Sequence, residues 1–338
     1  MQLNYGISGH RPILTGLSVY KNVIKFILFA ALNCQSGTSY NVCSPADRGG
    51  HRLELGIVFL VLGSAVMHPV WNLILKKNPD PQLGYLFLTI VMCFCALVHG
   101  VASNADFAAA LTVLPLVGLS VCGQILYGTC LTATLKRGDL SAYYPIIRSS
   151  PVFVVLVSVL FLGKTYPLTV VLGIAMVVGG GFLLLYRRGT HILEDGRALG
   201  FALVAMCGTG VYSLADALMA QTIEPPVLVF IVEGNMAFIY TAIWLRRRAT
   251  TPVPMVRVQD LPLVHLLWPG VLAYTSYYMI LLAYQLGGDV AAVTSLRQAS
   301  IPVSVALGGL FLREGAMVRR FFAAGVLAIG IAVIALNG

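Results

Sequence analysis

Ten stretches of this chain, each roughly 19–25 residues long, are apolar almost throughout, and each is long enough to cross the ~30 Å hydrocarbon layer of a bilayer as a helix. They are 53–75, 83–102, 111–135, 140–162, 168–186, 197–219, 226–245, 262–286, 289–312 and 318–336. Inside lipid the backbone has no water to bond, so each stretch must satisfy its own amides as a helix. Only 10% of the 338 residues are charged, 58% are hydrophobic, and the mean hydropathy is +0.86. A soluble domain carries about 25% charged residues. The expected class is therefore an all-α integral membrane protein with ten transmembrane helices.

Shifting the chain by 150 residues lays it on itself. Residues 127–162 and 277–312 match without a gap at eleven of thirty-six positions, among them Tyr127/Tyr277, Gly138/Gly288, Asp139/Asp289, Ser150/Ser300 and Leu160–Leu162/Leu310–Leu312. Apolar composition alone would give about three. The match divides the chain into two five-helix repeats, 53–186 and 197–336. An odd number of crossings forces the second copy to enter inverted.

The charges agree. The loops after helices 1, 3, 5, 7 and 9, counted with the first residues of the helices they enter, hold fourteen Lys and Arg residues, whereas those after helices 2, 4, 6 and 8 hold only Lys164. The positive-inside rule places the fourteen-charge side in the cytoplasm of a bacterial-type inner membrane. That distribution accounts for the formal net charge of +9 without nucleic acid. Residues 1–52 stand outside the pattern: Ile13–Leu32 carries Lys21 and Lys25 near its middle, and Phe26–Leu32 is short for a signal-peptide core. They read first as an extension outside the working fold, with a signal-like segment and an eleventh helix as the alternatives.

Enzyme chemistry finds no inventory here. The seven cysteines form no CxxC pair and no His/Cys cluster. No carboxylate pair has metal-ligand spacing, no nucleophile elbow is present, and Gly179–Gly181 lacks the Gly-Lys-Ser/Thr of a phosphate loop. No cofactor, no metal and no direct use of ATP are expected.

The Gly-Asp entry to helix 4 (Gly138-Asp139, Gly288-Asp289) and the exits Phe161-Leu162-Gly163-Lys164 and Phe311-Leu312-Arg313-Glu314, followed by Gly-rich helices, resemble the drug/metabolite transporter superfamily, EamA-type permeases in particular. The first exit has Lys for the family's Glu, and the second has Arg for its Gly. The stretches His68–Lys76 and Gly138–Arg148 resemble a narrower group of permeases, some associated with phosphonate utilisation. The resemblance covers about 53–336 and implies five-plus-five inverted helices and solute transport. It leaves the substrate open, since the superfamily moves amino acids, sugars, nucleotide sugars, drugs and lipids.

Ionisable residues inside a bilayer are costly and call for a partner or a cavity. Arg148 and Arg297 each lie eight residues into their helices, about 12 Å deep from opposite faces. Inverted-repeat transporters bind substrate near that depth. A guanidinium fork suits carboxylate or phosphonate oxygens. The competing reading of each arginine is a structural tie to backbone carbonyls, Glu233 or Asp216. Glu233 in helix 7 and Asp216 near the end of helix 6 are the candidates for carrying a coupling proton. Against this, Glu233 reads as a packing ion pair and Asp216 as a solvated helix end. His68 and Asn72 share one face of helix 1, with Trp71 beside them. Tyr144 lies i,i+4 from Arg148, Gln298 aligns with Arg148, and Tyr277 aligns with Tyr127. Arg148, Arg297, Tyr144, His68, Trp71, Asn72, Gln298 and Tyr277 are thus the candidate substrate contacts. The expected function is a secondary transporter, monomeric or homodimeric, that moves a small polar anionic solute by alternating access. A flippase for a lipid-linked polar group and a non-transporting scaffold are the alternatives.

Overall fold

The computed structural model describes residues 54–75, 80–135, 137, 140–185, 195–250, 262–303 and 317–337. The 1–52 stretch, Lys76-Lys77, Gly138-Asp139, Arg187-Arg188, Arg257, Gly308-Gly309 and Phe311–Glu314 lie outside those residues. The described chain is helical, with no strand among the described residues. Its helices are α1 Leu55–Leu75, α2 Pro81–Ala102, α3 Leu114–Leu135, α4 Leu140–Ile147, α5 Ser150–Leu162, α6 Leu168–Leu185, α7 Gly196–Met219, α8 Pro225–Thr250, α9 Leu263–Gln285, α10 Val290–Leu296 and α11 Met317–Asn337.

Seven described helical segments are long and apolar enough to cross a membrane: Leu55–Leu75, Gln82–Ala102, Phe107–Thr134, Tyr143–Leu162, Gly196–Met219, Pro225–Thr250 and Leu263–Gln285. Leu168–Leu184 and Phe322–Asn337 are shorter apolar helices within the fifth and tenth expected spans. Large apolar side chains such as Leu55, Phe59, Phe94, Leu160, Leu168, Phe238 and Phe322 point outward and exposed. An exterior of that kind suits lipid rather than water.

Local chemistry sets the boundaries. Asp80 caps α2, accepting from the amides of Gln82 and Leu83 ahead of a proline at the first helical position. Asp106 caps a 3-10 turn, Phe107–Val113, that leads into α3. Asp195 caps α7 in the same way as Asp80 caps α2. Helix α8 runs to Thr250, past the expected end at 245. Its terminal arginines suit the negative end of the helix dipole, Arg248 lies over the Trp244 ring at 5.3 Å, and Arg247 reaches Asp80 at 3.0 Å.

The fourth and ninth expected spans are broken. Span 4 divides into α4 and α5 at Arg148-Ser149. Span 9 passes from α10 into a 3-10 turn, Arg297–Ala299. Prolines explain both breaks. Pro151 and Pro302 have no N–H to give the carbonyls of Ile147 and Gln298. At the first break the Ser149 hydroxyl donates to the Pro145 carbonyl at 2.8 Å.

Helices pair in a definite pattern: α3 lies on α7, α1 on α9, α2 on α8, and α6 on α11. The broken elements reach inward, with α4 and α5 against α7, α10 against α1, and α5 against α10. Two crossings are glycine contacts. A Cβ on Gly208 would sit 2.8 Å from the Gly123 carbonyl and the Tyr127 amide, and one on Gly330 would sit 2.7 Å from the Gly173 carbonyl. Small residues let backbones approach where lipid supplies no hydrophobic drive. The α1/α9 crossing is polar instead, with the Ser64 and Ser276 hydroxyls 2.9 Å apart.

Candidate functional site

Both breaks end on an arginine. Arg148 follows the last residue of α4, and Arg297 follows the last residue of α10. Together with Ser64, Ala65, His68 and Ser300 they line one polar pocket between α1 and the two broken spans. His68 lies within electrostatic reach of both guanidiniums. The Arg148 Nε donates to the Tyr144 hydroxyl at 3.1 Å, and its guanidinium stands 5.2 Å from the centre of that ring. Tyr127 and Tyr212, in edge contact with one another at 6.5 Å, lie within electrostatic reach of the same guanidinium. Among the described residues the ion pairs are Lys164–Asp289 and Arg247–Asp80, so neither pocket arginine is paired with a described carboxylate. An arginine held in the hydrocarbon region costs roughly 2.5–3.5 kcal/mol or more. The pair therefore costs roughly 5–7 kcal/mol unless water or an anion solvates it.

The carboxylates gather elsewhere. Asp216 is buried, with 1% of its surface exposed, which sets aside the solvated-end reading. It accepts from the Ser120 hydroxyl at 2.6 Å and makes a short hydrogen bond with the Tyr277 hydroxyl. It is within electrostatic reach of Arg297 but makes no ion pair with it. Glu233 is buried in α8, within electrostatic reach of Asp216. Asn235, two residues on, is exposed and bonds the Ile231 carbonyl, so it takes no part.

Of the remaining candidates, Asn72 donates to the His68 carbonyl at 2.9 Å, within its own helix. Trp71 packs edge-on against the His68 ring at 4.9 Å. Gln298 is buried and donates to the Thr294 carbonyl at 3.3 Å. Tyr277 is taken up by Asp216. The pocket therefore brings together Arg148, Arg297 and His68, with Tyr144 bound to Arg148, while Trp71, Asn72, Gln298 and Tyr277 are not in its lining. Ser64, Ser300 and Tyr212 were not singled out from sequence. Tyr212 carried a signal: it lies 144 residues after His68, the offset that also relates Asn72 to Asp216.

No family model matches the chain, and no curated protein matches it. In three dimensions it is similar to a solved structure described as "Crystal structure of protein". The TM-score is 0.65 with 18% sequence identity, over 83% of this chain and 96% of the other. At that identity the likeness speaks to fold alone.

Proposed function

We propose that the protein is a secondary transporter of the drug/metabolite type. In this reading ten membrane helices form two inverted halves that expose a central site alternately to each side of an inner membrane. The helix pairing supports the inversion. Exchange α1 with α7, α2 with α8, α3 with α9, the α4/α5 pair with α10, and α6 with α11. The α3/α7 pair then becomes α9/α1, while α2/α8, α6/α11 and α5/α10 map onto themselves. The cargo is a small polar solute with an anionic group, and no metal, cofactor or nucleic acid is assigned to the work.

One observation carries the reading: two guanidiniums at the breaks of two discontinuous spans share a pocket, without a described carboxylate partner. Discontinuous helices are where such transporters place their ion and substrate contacts. A scaffold would bury the arginines against Asp216 or Glu233, and neither makes that contact. Asp216 and Glu233 remain the candidates for proton coupling.

The test is uptake into proteoliposomes, with and without a pH gradient, from a panel of methylphosphonate, sugar phosphates and amino acids. An anionic member should be carried by the wild type and lost in Arg148→Gln and in Arg297→Gln. Undiminished uptake in both variants would refute the site.

A further inference from the structure

At one end of the molecule, the short segment between α5 and α6 meets the entry to α10 through side chains the solute pocket does not use. Gly163 ends α5 with φ +63, and the Lys164 amide bonds back to the Ser158 carbonyl at 3.0 Å, so the segment leaves α5 in a fixed direction. Lys164 Nζ then donates to Asp289 Oδ2 at 2.6 Å, and the Tyr166 hydroxyl donates to the same oxygen at 3.2 Å. The other carboxylate oxygen, Oδ1, accepts from the amides of Ala291 and Ala292 at 2.9 and 3.2 Å. One oxygen thus holds α10 together, and the other holds α10 to the first half of the chain. Burial, and then the neighbouring Asp289 carboxylate, push the Tyr166 phenol above its ordinary range, so it remains a donor at physiological pH.

Helix α10 is seven residues long, and Arg297 follows its last residue. A rod of that length carries a displacement at Asp289 to Arg297, about 12 Å away at 1.5 Å per residue. We propose that Lys164, Tyr166 and Asp289 form a latch that shuts one mouth of the solute path and, through α10, sets the position of Arg297 in the pocket. The proposal rests on the transporter reading. Opening that mouth parts Lys164 and Tyr166 from Oδ2. The cap on Oδ1 is untouched, so α10 can move without unwinding. Asp289 is therefore a positioning residue: it touches no solute and acts through the arginine eight residues on.

The test uses full-length protein in proteoliposomes, with its native cysteines replaced and a single cysteine at Thr294→Cys. Thr294 is buried on α10 three residues before Arg297, hence on the same face. A membrane-impermeant maleimide reports how often the mouth opens. Lys164→Met and Asp289→Asn (which keeps a capping oxygen) should each speed labelling at least about three-fold, and the double variant no more than Asp289→Asn alone, because that change already removes the contacts of both Lys164 and Tyr166. Lys164→Arg should stay near the parent rate. Michaelis constants for methylphosphonate uptake should move with the labelling rate. Unchanged labelling in both single variants overturns the latch. Labelling does not depend on any solute being carried, so that failure is distinct from failure of the transporter reading, which shows as no member of the solute panel being carried by the wild type.

Discussion

Consider Gly208→Ala on α7. The new methyl carbon would lie 2.8 Å from the Gly123 carbonyl oxygen and from the Tyr127 amide nitrogen, and 3.3 Å from the Leu126 Cβ. Two of the three obstacles are backbone, which cannot rotate aside. Ordinary contact begins near 3.4 Å, so α3 and α7 must part by at least about 0.6 Å at their crossing. Overpacking of this kind costs about 1–3 kcal/mol. Replacing a mid-helix glycine by alanine returns about 0.8–1 kcal/mol of helix propensity. The net change is a loss of up to about 2 kcal/mol. Gly200→Ala, on the same helix with nothing within 4 Å of its Cβ position, has only the gain. Thermal unfolding in detergent, followed by size-exclusion of the surviving fraction, should therefore move in opposite directions for the two variants. The parting also disturbs Tyr127 and Tyr212 beside Arg148, so Gly208→Ala should lose uptake and Gly200→Ala should not. Equal thermal stability of the two variants would refute the close crossing.

Further outcomes follow from the same contacts. Arg148→Gln should weaken binding of the anionic solute by roughly 10–100-fold, the equivalent of about 1.5–3 kcal/mol for one charge-assisted contact, read by equilibrium binding. Tyr277→Phe and Ser120→Ala should each destabilise the protein by about 1–3 kcal/mol, since each leaves buried Asp216 short of a donor, and the double variant should cost more than either alone. Arg247→Met should change stability by no more than about 1 kcal/mol, because Arg247 is 40% exposed and solvent screens its pair with Asp80. Gly163→Ala should cost about 1 kcal/mol or more, because its φ of +63 strains any residue with a side chain.

Much of the helical layout is legible in the sequence, because lipid leaves the chain so few options. The runs at 53–75 and 262–286 became α1 and α9 almost residue for residue. Ends were harder: α8 gains a turn from arginines that bond Asp80 and cover Trp244, contacts no run of apolar letters encodes. The breaks at Arg148 and Arg297 were half visible. Pro145 and Pro151 stand in span 4, but where the chain gives way depends on which freed carbonyls find partners, as Pro145 does with Ser149. In the candidate site the two arginines stood out because charge inside an apolar run is rare. Ser64 and Ser300 did not, since serine is unremarkable in a membrane helix. Tyr277 matched its repeat partner Tyr127, yet only the packing of α9 on α7 assigns it to Asp216 instead of to the pocket.

In the proposed transporter two halves cross the membrane in opposite senses. Single reporter insertions at Arg137, after the third crossing, and at Gly287, after the eighth, test this with alkaline phosphatase and a fluorescent protein as paired readouts. Inverted halves should give a cytoplasmic signal at Arg137 and an external one at Gly287. Both signals on the same side would contradict the inversion.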